Sequence, residues 1–325
     1  MKKAFKLIGC LSLFLFSSCA DDGQITNTNE VQKMVMSVED FRFETVSRTT
    51  LTPTDDGATF KWEATDTVGI FPETGSQVAF PMISGAGTNT ATFTGGGWAL
   101  KASTPYMAYY PLQGKFYLDK AHIPVSYEGQ TQSANASTEH LGSFDYMAAS
   151  ATTPSEGIVN FQFKHLGALV RLKIAMEETS TLKQVTLQTD DNDFTLKGYV
   201  DLTATTPTVN PTSTSNTFTI LLDDITVEAN SDLVAYFLMP PVNLTDKTLS
   251  AVVEKYNGYT QEITLAGKNF EAGKPYELTG TMKSEEEEGM QNGIVITRED
   301  EEMTDDENEY VIEEGGITEV PVTAP

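Results

Sequence analysis

The chain of 325 residues carries 21 Lys and Arg against 46 Asp and Glu, which gives a formal net charge of −25 at pH 7. Nucleic acid and anionic lipid surfaces repel such a chain, so we expect neither as a partner. The length is sufficient for two domains with ordinary hydrophobic cores.

The first 18 residues have the layout of a secretory signal peptide. The basic start MKKAFK precedes an apolar run from Leu7 to Phe16, and two serines lead to Cys19. The run has about ten apolar residues, whereas a membrane-spanning helix needs roughly 20. The small residues before Cys19 resemble a bacterial lipobox, which predicts cleavage by signal peptidase II and lipidation of Cys19.

Two other interpretations of this region remain open. The letters before Cys10 fit a lipobox better, but lipidation there would leave Leu11 to Phe16 in the mature chain. Ordinary signal cleavage would instead leave Cys19 as a free thiol. With Cys19 lipidated, the mature chain has no thiol for a disulfide, a metal site or a nucleophile.

Apolar and polar residues alternate with a period of two from about Val31 to Tyr276, which predicts half-buried β-strands. No segment keeps a period of 3.6 residues over three turns, so the sequence predicts an all-β protein built of β-sandwiches. Asn257-Gly258 predicts a hairpin with a type I′ turn. The clearest strand patterns are FKWEA (60–64), NFQFKHL (160–166), ALVRLKIAM (168–176) and FTLKGYVDL (194–202).

The sequence predicts five parts. They are a signal peptide (1–18), a lipidated tether with an N-terminal strand segment that is a candidate propeptide (19–48), an N-terminal β-sandwich (49–168), a C-terminal β-sandwich (169–283) and an acidic tail (284–325). The boundary near residue 168 runs through or beside a continuous strand. The stretch TATTPTVNPTSTSNT (203–217) is compatible with a linker or with a long loop inside a domain.

No pattern of residues indicates catalysis. The chain has no G-x-S-x-G, no H-E-x-x-H and no phosphate-binding glycine loop. His122, His140 and His165 lie far apart, and we expect His165, at the end of a strand, to be packed or at the surface and not a ligand. The letters DDND (190–193) resemble the start of a calcium loop but lack its later Gly and Glu, which favours a polar hairpin tip. We therefore predict no enzyme activity, no cofactor and no metal site.

Five stretches form an ordered series of strands and turns. They are SRTTLTPTDDGATFKWEATDTVGIFPE (47–73), YMAYYP (106–111), IPVSYEGQTQSANASTEHLGSFDYMAAS (123–150), FQFKHLGALVRLKI (161–174) and FEAGKPYELTGTM (270–282). Together they resemble the fimbrillin (type V pilin) family of Bacteroidetes lipoproteins over about residues 35–282. The resemblance implies two tandem transthyretin-like β-sandwich domains and a stalk, tip or anchor subunit of adhesive fimbriae.

The resemblance also implies where the chain resides and what it contacts. Palmitate or a similar lipid on Cys19 would hold it at the cell outer membrane, exposed on the surface. Asp21 and Asp22 resemble the signal that sends lipoproteins of this family to the outer face of the membrane. They are also compatible with a solvated tether. The implied partners are other fimbrial subunits, in a homo- or hetero-polymer, and a host or bacterial surface receptor.

In this family, a protease cuts after an arginine, an N-terminal strand leaves, and a strand of the partner fills the groove. Arg48 is the candidate here, with cleavage between Arg48 and Thr49. Arg42 is a less favoured site. The alternative is that Arg48 simply begins the first strand and is never cut.

The tail contains fifteen acidic residues against one arginine, and it includes the apolar segments GIVIT and ITEVPVT (317–323). Charge repulsion is expected to keep the acidic stretches extended. Ile294, Val295 and Ile296 form a candidate donor strand for the next subunit, because a proline confines the second segment to an edge. The alternative is a disordered acidic tail.

A different function stays open on the sequence alone. A non-polymerising surface lipoprotein could bind glycan or another extracellular ligand through exposed aromatic residues, with Trp98, Tyr109 and Tyr110 as candidates. Trp62 alternates in phase with Phe60 and is expected in the core instead.

Overall fold

The computed structural model describes residues 30–31, 33–42, 50–54, 57–72, 74–95, 100–101, 103–112, 119–152, 158–285, 310–313 and 316–319. These residues form β-strands and a 3-10 helix at Glu139–Ser143, which confirms the all-β prediction. Within these ranges, no helix is long and apolar enough to cross a membrane.

In chain order the strands are β1 (Glu30–Val31), β2 (Lys33–Val38), β3 (Phe41–Arg42), β4 (Thr50–Thr54), β5 (Gly57–Thr59), β6 (Thr67–Pro72), β7 (Val78–Ser84), β8 (Thr90–Phe93), β9 (Leu100–Lys101), β10 (Tyr106–Tyr110), β11 (Ile123–Ser126), β12 (Thr131–Gln132), β13 (Met147–Thr152) and β14 (Ile158–His165). They continue with β15 (Ala168–Met176), β16 (Ser180–Thr189), β17 (Phe194–Val200), β18 (Val209–Ser215), β19 (Thr217–Val227), β20 (Asp232–Met239), β21 (Val242–Asn243), β22 (Leu249–Lys255), β23 (Thr260–Leu265), β24 (Asn269–Phe270), β25 (Pro275–Met282), β26 (Tyr310–Glu313) and β27 (Gly316–Glu319).

A closed barrel is formed by strands in the order β10-β13-β14-β2-β8-β7-β6. Its interior holds one hydrophobic cluster, in which Trp62, Phe93 and Phe163 are fully buried. Closure leaves none of these strands at a sheet edge, because every strand of a barrel has a neighbour on both sides. The β2 strand comes from the start of the chain and completes this circle.

Strands that follow β14, together with β12, form a three-stranded sheet, β20-β15-β25, and a five-stranded sheet, β12-β19-β16-β22-β23. Inward-facing side chains of both sheets share a second hydrophobic cluster, for example Leu172 of β15 and Val185 of β16. β11 and β12 come from the range 49–168, yet they pair with β17 and β19. The division into two tandem domains stays a prediction.

The described residues divide after Met282 into two compact units. Besides the larger sheets, the first unit contains the small sheets β3-β5-β4, β1-β9 and β21-β24. In the second unit, β26 and β27 pair antiparallel.

The FKWEA segment is not the predicted strand. Phe60 and Trp62 are buried as expected, but Phe60 to Glu63 have no strand pairing, and Ala64 is exposed in a turn. Edge-to-face ring contacts, with the Phe60 and Trp62 centroids 4.8 Å apart, and two backbone hydrogen bonds of Trp62 to Gly87 and Thr88 hold the segment. Alternation therefore identified the burial of Phe60 and Trp62 correctly, and it was wrong for Ala64 and for the backbone conformation.

The sequence predicted the conformation of two turn regions less exactly than that of the strands around them. The hairpin between β22 and β23 is confirmed, but Gly258 is the turn residue with a positive φ, at 90°, whereas a type I′ turn needs two. The stretch 203–217 contains β18, which pairs with β17. It is therefore part of a sheet and not a linker between domains.

Candidate functional site

The most informative element is β2, which lies between β8 and β14 and is hydrogen-bonded along both of its edges. It runs parallel to β14, with Met36 opposite Phe161, and antiparallel to β8, with Met36 opposite Ala91. Removal of β2 would therefore leave β8 and β14 with edges that face each other across a groove one strand wide.

Alternate side chains of β2 point into the barrel. Met34, Met36 and Val38 are buried in its hydrophobic cluster, while Val35 and Ser37 are half-buried. This follows from the period of two along a strand. Burial of side chains of this size contributes about 1.5–3 kcal/mol each. The strand is thus held by apolar contacts as well as by its two ladders.

A buried ion pair fixes the residue that follows β2. His165 Nδ1 lies 2.7 Å from Asp145 Oδ1, and His165 Nε2 lies 2.6 Å from the carbonyl oxygen of Glu39. The carbonyl oxygen of Glu39 carries no proton, so Nε2 donates to it, and the carboxyl group beside Nδ1 favours the doubly protonated, positively charged imidazole. Burial by itself lowers the pKa of His165, but Asp145 and the Glu39 carbonyl outweigh it, and the pKa is raised.

Two further contacts attach the same segment. The rings of Phe41 and His165 have centroids 4.0 Å apart. Phe41 is buried in the second hydrophobic cluster, which the three-stranded and five-stranded sheets share. Gln162 Nε2 donates to Glu39 Oε1 at 3.0 Å. Residues 33–42 therefore insert into both hydrophobic clusters of the first unit.

The predicted cleavage and lipidation residues lie outside the described residues. This applies to Arg48, Thr49 and Cys19. The alternative, Arg42, is in β3 and pairs with Gly57 of β5. The structure therefore describes the strands on both sides of residues 43–49 and leaves cleavage after Arg48 a prediction.

The candidate donor residues Ile294, Val295 and Ile296 also lie outside the described residues. The described part of the tail is the β26–β27 hairpin, in which Ile312 pairs with Ile317. The β26 strand falls within NEYVIEE, which sequence reasoning treated as part of an acidic stretch. Three adjacent β-formers, YVI, were the signal that could have identified it.

Two of the three aromatic residues proposed for glycan binding, Tyr109 and Tyr110, are not exposed. Tyr109 and Tyr110 are buried in the structure, and each hydroxyl donates a hydrogen bond, Tyr109 to Gln77 Oε1 at 2.8 Å and Tyr110 to Asp66 Oδ1 at 2.9 Å. Burial raises the pKa of both Asp66 and Tyr110. The prediction of exposed rings is therefore wrong for these two residues, and Trp98 lies outside the described ranges.

The DDND segment joins β16 to β17, but these strands belong to different sheets and do not pair, so the segment is a polar turn between sheets and the predicted hairpin tip is wrong. Lys247 Nζ lies 2.7 Å from Asp191 Oδ2 and 3.1 Å from Asp193 Oδ1. The hydrogen bond and the charge of Lys247 lower the pKa of Asp191. Across the described ranges, no group of three or more His, Cys, Asp or Glu side chains is placed to hold a metal ion.

Sequence reasoning missed the Asp145–His165 pair. Both residues were within stretches quoted for the family resemblance, but 20 positions separate them. The strand partners that bring them together, Met147 of β13 and His165 of β14, cannot be identified from alternation alone.

Comparison with known proteins gives a family and a fold. A family model described as fimbrillin-like matches residues 27–297. A candidate cell adhesion protein from Bacteroides uniformis has 16% identity and a TM-score of 0.53, over 80% of this chain and 95% of its own. One from Bacteroides ovatus has 16% identity and a TM-score of 0.52, over 77% and 92%. None of the curated proteins matches the chain.

Proposed function

Because the chain belongs to the fimbrillin-like family, we propose that it is a surface fimbrial subunit, exported as a lipoprotein through Cys19, that assembles by strand exchange and contributes to cell adhesion. The observation that carries the proposal is the position of β2. It occupies a groove between β8 and β14, and it precedes Arg48 in the chain.

Cleavage after Arg48 would separate β2 from the rest of the barrel. Its departure would vacate the pockets of Met34, Met36 and Val38 and would free the edges of β8 and β14. Unpaired backbone groups on both sides and apolar pockets at alternate positions are the requirements for adding a strand from a partner.

Ile294, Val295 and Ile296 are the proposed donor. Ile294 and Ile296 are two positions apart, so in an extended strand both side chains enter the groove on the same face. The other apolar tail segment begins in β27, whose residues already pair with β26. A donor from that segment would first have to give up these hydrogen bonds.

The same cleavage would release the membrane anchor. The lipid on Cys19 and the strand β2 both precede Arg48, so one cut detaches the subunit from the outer membrane and opens its groove. The proposed partners are further fimbrial subunits and a host or bacterial surface receptor. The proposed role is structural, in a fimbrium on the cell surface.

The glycan-binding alternative has less support. Two of its three candidate aromatic residues, Tyr109 and Tyr110, are buried and hydrogen-bonded inside the protein.

The mature N-terminus of the protein recovered from the cell surface tests the proposal. Mass spectrometry should find a chain that begins at Thr49, and an Arg48→Gln variant should retain its lipidated N-terminus. Arg42→Gln is the matched control and should mature normally. A lipidated Cys19 as the only N-terminus, on protein that forms no polymer, would refute assembly by this route.

A second measurement tests the donor. Cleaved wild-type subunits should form concentration-dependent polymers visible by electron microscopy. An Ile294→Asp/Ile296→Asp variant should be cleaved but remain monomeric, because a buried carboxylate in the groove lacks a partner. Polymers formed equally well by this variant would exclude these residues as the donor.

A further inference from the structure

One edge of β20 is covered by side chains and by the backbone N–H of Ala136, and not by a strand. β20 pairs antiparallel with β15 along its other edge. The backbone groups of alternate residues, from Asp232 to Leu238, point away from β15 toward residues 130–140 of the chain. A free edge of this kind would present a row of unpaired donors and acceptors.

Two glutamine side chains pair with this edge as a neighbouring strand would. The N–H of Leu238 donates to Gln130 Oε1 at 3.0 Å, and Gln130 Nε2 donates to the carbonyl oxygen of Leu238 at 2.6 Å. The N–H of Tyr236 donates to Gln132 Oε1 at 2.8 Å, and Gln132 Nε2 donates to the carbonyl oxygen of Val234 at 2.9 Å. Each primary amide reproduces the donor and acceptor of a peptide group.

The remaining groups of the edge have partners from the same segment. The N–H of Val234 donates to Asn135 Oδ1 at 2.8 Å, and Asn135 Nδ2 donates to the carbonyl oxygen of Asp232 at 2.9 Å. His140 Nε2 donates to the carbonyl oxygen of Tyr236 at 3.0 Å. All outward backbone groups from the Asp232 carbonyl to the Leu238 carbonyl are thus satisfied.

The backbone of this segment lies against the opposite sheet. β12, Thr131–Gln132, pairs in parallel with Leu221 and Leu222 of β19. Gln130 and Gln132 are completely buried. A buried amide is costly unless its hydrogen bonds are made, and here the β20 edge supplies partners together with the carbonyl oxygens of Tyr127 and Ala134. The segment therefore lies between the two sheets, with its backbone paired to β19 and mainly its side chains paired to β20.

The covered strand has the composition of one that associates with itself. After Asp232 it reads LVAYFLM, with no charge, no proline and no glycine, and with several β-branched or aromatic residues. Such a segment on an open edge is a template for pairing with an identical strand. An antiparallel pair of two β20 strands would give a symmetric dimer, the commonest form of homo-oligomer.

We propose that residues 130–140 are an edge guard, whose amides keep the β20 strands of two copies of this chain from pairing edge to edge. Removal of the Gln130 and Gln132 amides exposes a homodimer interface at β20. This inference does not rest on fimbrial assembly, because the guard and the interface are both in the first unit and neither involves β2.

The test is a Gln130→Leu/Gln132→Leu variant of the full chain, compared with Gln77→Leu. Leucine keeps most of the side-chain volume but removes the amide. Gln77 is a buried glutamine that accepts a hydrogen bond from a tyrosine hydroxyl and touches no strand edge of β20. Light scattering after gel filtration and hydrogen exchange resolved to single amides are measured over a range of protein concentration.

The expected result has two parts. The double variant forms a dimer as its concentration rises, while the wild type and Gln77→Leu remain monomeric. At low concentration the amides of Tyr236 and Leu238 exchange roughly tenfold faster or more than in the wild type, and dimerisation protects them again. The amide of Val234 changes less, because its acceptor is Asn135. A folded variant that stays monomeric at every concentration, or a dimer that leaves these amides exposed, overturns the proposal.

A milder variant covers the case in which the double variant fails to fold. Asn135 is exposed, and Asn135→Leu releases only the Val234 N–H and the Asp232 carbonyl. It should dimerise more weakly, with faster exchange at Val234 alone among the three amides. Monomeric behaviour of this folded variant at high concentration would equally overturn the proposal.

Discussion

His165 and Asp145 form an ion pair of 2.7 Å whose two side chains are 1% and 0% exposed. The imidazole uses its other nitrogen to bind the carbonyl oxygen of Glu39, one residue beyond β2. Asp145 Oδ2 has no hydrogen-bond partner within the part of the chain that the structure describes. The charge of His165 is therefore the main compensation for the buried carboxylate, and the pair connects β13, β14 and the N-terminal strand.

Loss of the imidazole should destabilise the protein strongly. His165→Ala leaves the Asp145 charge buried without its partner, and we expect the free energy of unfolding in urea to fall by about 3–5 kcal/mol. Hydrogen exchange in β2 should accelerate more than in β15, because the Glu39 carbonyl also loses its donor. His122→Ala is the control, since its ion pair with Asp119 is exposed. Equal effects of the two substitutions would contradict an anchoring role for His165.

The stability of the barrel should depend on pH through His165. Its folded-state pKa is raised above the unfolded value of about 6.5. The stabilisation from the charged imidazole is therefore fully present below about pH 6.5 and is lost as pH rises through the folded-state pKa. Unfolding in urea from pH 5.5 to 9 should show this decline. The unfolding free energy should fall less steeply with pH in His165→Gln than in the wild type. An equally steep fall in the variant would exclude His165 as the cause of the pH dependence.

Truncation within β2 should weaken its hold on the groove. Met36 is completely buried between Phe161 and Ala91, so Met36→Ala should cost about 2–5 kcal/mol of unfolding free energy. Ile83 is 60% exposed, and Ile83→Ala should have little effect. After proteolytic cleavage, the Met36→Ala segment should also dissociate faster, which gel filtration can follow. A segment that remains bound as long as the wild type would argue against this pocket as its main attachment.

Gly69 of β6 should not tolerate a side chain. A Cβ atom at this position would lie 2.2 Å from Cε1 of Tyr109, closer than any van der Waals contact allows. Gly69→Ala must displace the ring and break its hydrogen bond to Gln77, at a cost of about 1–3 kcal/mol. Gly142→Ala is the control, because nothing lies within 4 Å of a Cβ there. Thermal unfolding of both variants checks the expectation, which fails if the two melt at the same temperature.

Much of the fold could be predicted from local sequence. The segments at 160–166, 168–176 and 194–202 became β14, β15 and β17 because alternation of apolar residues reports which side of a strand is buried. The FKWEA segment was assigned as a strand for the same reason and is not one. There the rings of Phe60 and Trp62 reach the core from irregular backbone. Alternation alone therefore could not distinguish a strand from an irregular segment with two buried rings.

The sequence by itself determined the all-β class, the acidic tail, the family resemblance and the apolar residues of the core. Only the tertiary structure decided that β2 lies between β8 and β14, that Asp145 meets His165, and that Gln130 and Gln132 cover the edge of β20. The physical reason is that backbone hydrogen bonds are the same for every pair of strands. Side-chain alternation fixes the buried face of a strand, whereas its neighbours are chosen by the packing of the whole chain.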